Sequence, residues 1–307
     1  MRLGVMSGAE APQPIEAYVE RARELEAAGL DDLWMAHTFS FDAVAVLGLI
    51  GREVPGIGVG TAVTPTYPRH PMALAQQALT SAAMTGNRFT LGIGLSHKVL
   101  IEDMLGLSYA RPAAHMRAYL EVLLPLLRGE RVAVANPEYE VTGIQLVTPG
   151  TEPPSVVLAA LGPAMLQLAG EVADGTSLWM VGERTLAEYI LPRLLRAAEA
   201  AAKPRPQVIM ALPVAVVADP DAAREQVAQD LTVYGQLPSY RAMLDREGVA
   251  GPADLAVLGD EALLMGALDR FADLGVTHFN ASIMDVEVGA WERTQTCLAA
   301  WSKQRAS

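Results

Sequence analysis

The chain has 307 residues, 51% of them apolar, and a formal net charge of −12, enough apolar material for one large core. That charge excludes a broad basic surface for nucleic acid or anionic membranes, because phosphate binding is driven by clustered Lys and Arg. The lone cysteine, Cys297, excludes an intramolecular disulfide and a Cys-rich metal site, and reads as a packed thiol in a helix.

Read in order, the chain alternates strand and helix. Residues 2–8 form a short apolar strand, with no charged-then-apolar leader pattern ahead of them. Residues 14–28 carry Ile15, Val19, Ala22 and Leu25 at helical spacing, with Pro14 at the start and Gly29 past the end. Strand 32–37 leads to helix 41–52, strand 56–63 to helix 71–84, and strand 89–97 to helix 113–127. Residues 132–147 interrupt the alternation as a two-stranded excursion around Asn136 and Pro137. Strand 155–160 with helix 163–172, strand 176–181 with helix 186–202, and strand 207–217 with the polar helix 221–234 follow. A second insertion holds Pro238, Gly248, Gly251 and Pro252. Helix 261–274, strand 277–283 and helix 289–301 close the chain.

Strands this continuously apolar are buried on both faces, as in a parallel sheet. Eight strand–helix units in this length predict an α/β chain folded as a (β/α)8 TIM barrel. It forms one domain over 1–307, with small insertions after the fourth helix and after the seventh strand. An open sheet satisfies the same periodicity. No apolar run is long enough to span a bilayer, so the expected location is cytoplasmic.

In such barrels the chemistry sits at the C-terminal ends of the strands. Here those ends offer His37, the run from Thr61 to Pro71, Ser96 with His97, the run from Ala160 to Pro163, Met180 to Gly182, and Asn280 to Asp285. Lysine occurs only at positions 98, 203 and 303, which demotes Schiff-base and pyridoxal chemistry. The histidines are scattered without a His-x-His pair, so no metal is expected. A mouth rich in Gly, Ser, Thr and Met with two histidines suits an enzyme whose cofactor carries the redox chemistry.

Four segments together resemble the luciferase-like family, in its branch that uses the deazaflavin coenzyme F420 and includes methylene-tetrahydromethanopterin reductases. They are Gly58-Val59-Gly60-Thr61-Ala62-Val63-Thr64-Pro65 with Arg69-His70-Pro71; Asn87 to Gly94; Ala160-Leu161-Gly162-Pro163 running to Ala173-Asp174-Gly175; and Ala28 to Trp34. The resemblance implies a cofactor across the barrel mouth, held at Thr61, Ala62 and Val63 by a bulge with a non-proline cis bond between Ala62 and Val63. Ser96 and His97 would flank its ring. Ala160, Leu161, Gly162, Pro163 and Ala164 would bring a helix N-terminus to its phosphate, where unpaired amides and the helix dipole favour an anion. Met180, Val181 and Gly182 would cover it.

His37 stands where relatives place the group that donates a proton or polarises the substrate; the other reading is a hydrogen-bonded structural histidine. Some relatives carry Asp-His at that exit, where Ala36 precedes a single histidine here, and some carry Glu where His97 stands. His70 is expected to shape its proline-flanked loop, and His115 and His278 to be helix and strand-base residues. Tyr67, Trp179, Met180, Tyr234 and Tyr240 are candidates to line an apolar substrate pocket.

The expected activity is hydride transfer between coenzyme F420 and a small organic substrate such as an imine, enone or carbonyl, by a homodimer. The alternatives are an FMN-dependent monooxygenase and a flavin- or deazaflavin-binding protein without turnover.

Overall fold

The computed structural model describes residues 1–8 and 13–306. Its elements run β1 (Arg2–Ser7), α1 (Ile15–Ala28), β2 (Asp32–Met35), α2 (Ala43–Glu53), β3 (Gly58–Thr61), β4 (Thr64–Pro65), α3 (Pro71–Met84), β5 (Phe89–Gly94) and α4 (Pro112–Leu127). The hairpin β6 (Val132–Ala135) and β7 (Glu140–Ile144) follows. Then come β8 (Ser155–Ala159), α5 (Pro163–Glu171), β9 (Gly175–Trp179), the short α6 (Glu183–Thr185), α7 (Leu191–Ala200) and β10 (Gln207–Val216). The chain ends with α8 (Pro220–Asp230), α9 (Thr232–Gln236), α10 (Pro238–Glu247), β11 (Val257–Gly259), α11 (Glu261–Leu274), β12 (His278–Ile283) and α12 (Ala290–Ala306).

Eight parallel strands close on themselves in the order β1, β2, β3, β5, β8, β9, β10, β12, with β12 returning to β1. The fold is the (β/α)8 barrel that the alternation predicts. The excursion after α4 is an antiparallel hairpin, also as expected.

Three local differences have physical causes. First, the strands end earlier than their apolar runs, because the ladders end there: the last β2–β3 pair is Met35 with Thr61, which leaves His37 and Val63 in loops. Second, the insertion after β10 is helical. Pro238 is the first residue of α10, and Gly248 ends that helix with φ 81° in the left-handed region, so these two residues, read in the sequence only as belonging to an insertion, punctuate a helix. Third, β11 is three residues long and pairs only with the far half of β10, too short for any periodic signal.

Alternate residues along each strand face two different interiors. One set, including Leu3, Val5, Leu33, Val59, Leu91, Ile93, Leu158, Met210 and Phe279, packs beneath the helices in the main core. The other set faces the barrel axis. At the base Arg2 meets Asp32 through two hydrogen bonds of 2.7 and 2.9 Å. Above them Trp34, Val157 and Ile209 form a separate apolar cluster with Ala62 against it. Gly60 makes room for it: a Cβ there would lie 2.6 Å from the Trp34 ring. The barrel is thus plugged by a tryptophan, and the open space lies above it.

Candidate active site at the barrel mouth

The axis-facing residues at the C-terminal strand ends are mostly small. Ala36, Ala62, Ala159 and Ser282 are half-buried, while their outward-facing neighbours Met35, Thr61, Leu158 and Ile283 are buried. Gly94 completes this floor. A Cβ there would stand 2.6 Å from a Val63 methyl and 3.1 Å from the Ala159 methyl, so Val63 occupies the place of a side chain at 94. The Ala62–Val63 bond is cis, as expected, and Thr61 is wholly buried, its hydroxyl donating to the Gly92 carbonyl at 2.7 Å.

His37 leaves β2 beside this floor, its side chain only 9% exposed. Arg69, from the loop after β4, brings Nη2 to 2.6 Å from His37 Nε2 and to 3.1 Å from Asp42 Oδ2. Asp42 in turn caps α2, accepting from the Ala45 N–H at 3.1 Å. Burial, with the Arg69 charge added, lowers the His37 pKa to about 4, and the Asp42 charge only partly opposes this. Asp42 is itself held below its ordinary value: burial raises it, but the Ala45 N–H, His37 and Arg69 together outweigh that. At neutral pH the constellation is a neutral imidazole, a guanidinium and a carboxylate.

Sequence reasoning singled out His37 and missed its two partners. Arg69 was visible only as part of a motif. Asp42 carried the N-cap signal of a polar residue at a helix start, and that signal says nothing about a site.

On the opposite side of the mouth, α5 begins at Pro163 with Gly162 as its N-cap and no side-chain cap. Proline has no N–H, so the Ala164 and Met165 amides are the first-turn donors left without an intrahelical partner. Gly162, Pro163 and Ala164 are exposed, and nothing lies within 4 Å of where a Gly162 Cβ would stand.

The β9 exit differs from its expected role as a cover. Met180 and Val181 are wholly buried, and the amides after Gly182 are already taken: Glu247 accepts from Arg184 N at 3.1 Å and from Thr185 N at 2.7 Å. Ala160 is buried and Leu161 half-buried at the β8 exit. Ser96 and Met180, at two strand exits, adopt positive φ of 58° and 57°, uncommon for residues with a side chain.

The insertion after β10 reaches across β9 and β8 to the β5 exit. Tyr240 lies 5.8 Å from His97 and 5.1 Å from Tyr234, which meets Trp179 edge-on at 5.9 Å. Burial lowers the His97 pKa and raises that of both tyrosines. Trp179, Tyr234 and Tyr240 therefore stand together at the mouth. Tyr67 does not join them; it is sandwiched between His115 at 4.0 Å and Tyr109 at 5.3 Å, and Met180 points into the helix layer. His70 caps α3, accepting from Met72 N at 3.2 Å; His115 is buried on α4, and His278 lies at the strand base against Thr277. All three take the structural places expected of them. Cys297 is buried against α11, its thiol pushed up to about 11 by burial and the Glu261 charge.

The family model described as Luciferase-like monooxygenase matches residues 1–293. The chain belongs to the luciferase-like monooxygenase family. Membership places it among oxidoreductases, as the sequence resemblance implied. A Mycobacterium tuberculosis protein with the provisional name coenzyme F420-dependent oxidoreductase Rv3520c is 30% identical over 188 residues, 57% of this chain but only 54% of that one. The 5,10-methylenetetrahydromethanopterin reductase of Methanolobus tindarius is 26% identical over 262 residues, 83% of this chain and 79% of the reductase. Among solved structures, an F420-dependent secondary alcohol dehydrogenase with an F420-acetone adduct superposes with a TM-score of 0.80. It is 18% identical and covers 96% of this chain and 97% of its own, a likeness of fold. No helix among the described residues is long and apolar enough to cross a membrane.

Proposed function

We propose that this member of the family moves a hydride between coenzyme F420, bound across the barrel mouth, and a small, neutral organic substrate bearing a carbonyl, imine or enone. The observation that carries the reading is the pairing of two features on opposite sides of one small-residue floor. One is a buried neutral imidazole, and the other is an uncapped helix N-terminus.

The residues present fit such a cofactor. The floor of Ala36, Ala62, Gly94 and Ala159 suits a planar ring, and the Ala164 and Met165 amides suit its phosphate. Ala62, Val63, Ser96 and His97 surround the ring position, and Leu161, Gly162 and Pro163 shape the tail position, while the wholly buried Thr61 and Ala160 contribute backbone at most. Met180, Val181 and Gly182 contribute backbone at most, since all three are buried and Glu247 takes the amides that follow them. The bound deazaflavin supplies the hydride chemistry.

The chain's own residues do the rest. His37 donates a hydrogen bond to the substrate heteroatom and so stabilises the negative charge that grows there. Trp179, Tyr234 and Tyr240 supply an apolar wall that limits access of water. Several apolar side chains stand exposed on the mouth loops, among them Phe39, Phe41, Leu105 and Leu107, which favours an uncharged substrate. The relatives named for F420 support the deazaflavin over FMN.

The test is fluorescence titration of the purified chain with coenzyme F420 and with FMN, followed by single-turnover reduction of candidate imines, enones and aldehydes. Saturable deazaflavin binding followed by its oxidation on adding one of these substrates is expected. Retention of FMN with oxygen consumption would select a monooxygenase, and binding of cofactor with no turnover would select a carrier.

A further inference from the structure

We propose that Arg69 is a positioning residue that holds His37 as a neutral imidazole with its proton on Nδ1, so that the site presents a hydrogen-bond donor and not an acid. The argument begins with what a guanidinium can do. Every polar hydrogen of Arg69 is a donor and none of its nitrogens accepts, so an atom hydrogen-bonded to it must offer a lone pair. His37 Nε2 is 2.6 Å from Arg69 Nη2 and is therefore unprotonated. One nitrogen of a neutral imidazole carries the proton, and here only Nδ1 is left.

Asp42 does not compete for the ring. Its Oδ2 is 3.1 Å from Arg69 Nη2 but 4.0 Å from His37 Nε2, so the carboxylate is committed to the guanidinium. A carboxylate bonded directly to Nε2–H would instead favour the imidazolium. Among the described residues, Arg69 and Asp42 are the charged groups that act on His37.

The second observation is where the proton goes. His37 Nδ1 is buried and has no hydrogen-bond partner among the described residues. A buried donor without a partner is costly in a resting protein, and it is accounted for if a ligand atom meets it.

The arrangement also explains the local sequence. Arg69 follows a proline-rich turn in which its N–H donates to Thr66 O at 3.0 Å, so the loop fixes the backbone from which the guanidinium reaches β2. Asp42 is anchored as a helix cap. Two rigid attachments thus set the orientation of one ring.

The use of that donor toward substrate rests on the hydride-transfer reading above, whereas the tautomer does not, so the experiment reads the tautomer first. Histidine side-chain ¹⁵N spectra of the full chain without cofactor are recorded between pH 4.5 and 8, with His37 assigned by its loss in His37→Asn. His37 should show a protonated Nδ1 and a bare Nε2 from pH 8 down to about 5.5, with imidazolium growing in only below that. In Arg69→Met the pKa should rise by about one unit, and imidazolium should appear at a correspondingly higher pH than in the wild type. Arg69→Lys, whose ammonium also only donates, should restore the Nδ1–H tautomer.

A wild-type His37 that is protonated on Nε2 or charged near neutral pH would overturn the proposal, as would Arg69→Met with tautomer and acid constant unchanged. If Arg69→Met does not fold, the wild-type spectrum and Arg69→Lys still decide. Turnover then tests the use of the donor. An Asn amide nitrogen overlays Nδ1 and a Gln nitrogen overlays Nε2, so His37→Asn should keep at least tenfold more activity than His37→Gln. Equal loss in both, with the tautomer confirmed, would count against the hydride-transfer role alone.

Discussion

Replacing Gly162 by Asp should stabilise the fold and weaken cofactor binding at the same time. Gly162 is the N-cap of α5, with φ −83° and ψ 158°, backbone that any residue adopts, and a Cβ there would meet nothing within 4 Å. An Asp side chain can therefore enter without displacing anything and accept from the Met165 or Ala164 amide. Asp exceeds Gly at an N-cap by a few tenths of a kcal/mol, and a negative charge at a helix N-terminus adds about 0.3–1 kcal/mol, so the expected gain is about 0.5–1 kcal/mol. The same carboxylate occupies the amides assigned to the cofactor phosphate and repels it. Affinity should fall at least tenfold, about 1.4 kcal/mol. Urea unfolding measures the first effect and fluorescence titration with coenzyme F420 the second. Undiminished affinity in a stabilised protein would remove the phosphate from α5; a destabilised protein would show that the helix start is not free.

Three further outcomes follow from particular contacts. Gly60→Ala places a methyl 2.6 Å from the Trp34 ring and should cost about 1–3 kcal/mol, with part of that recovered in combination with Trp34→Leu; additive losses in the double variant would contradict the plugged-barrel packing. Gly94→Leu should abolish cofactor binding while retaining barrel circular dichroism, because the side chain must displace Val63 or fill the mouth; unchanged affinity would place the ring elsewhere. Stability should also depend on pH through His37. Its native pKa of about 4 lies below the ordinary value near 6.5, so between those values the unfolded chain binds more protons, and stability rises with pH up to about 6.5 and is flat above. The full rise, reached only when the comparison extends below the native pKa, is about 3 kcal/mol. His97, His115 and His278 are lowered by burial and add in the same direction, so the wild type must be compared with His37→Leu between pH 5 and 7. Parallel curves would rule out a depressed His37.

The barrel was legible because helix boundaries and apolar runs are local signals: Pro14 and Gly29 bracket α1, and Asn136 with Pro137 turns the hairpin. The direction of each side chain was not legible. In continuously apolar strands, nothing local says that Trp34 faces the axis while Leu33 faces the helices; only the strand pairing decides it. The same limit hid the His37–Arg69 contact. The two residues are 32 apart in sequence and meet because β2 and β3 are neighbours with their exits level. Pro238 and Gly248 left the insertion without assigned elements for another reason, since the residues that mark loops also begin and end helices. Glu247 gave no signal, as a carboxylate ending one helix to cap another cannot be read from spacing.

Calorimetric or fluorescence titration of the purified chain with coenzyme F420, beside FMN, tests the central claim most directly. Saturable binding of the deazaflavin, weakened at least tenfold in Gly162→Asp and retained in Arg69→Lys, is the predicted result. A chain that takes up neither the deazaflavin nor the flavin would contradict it.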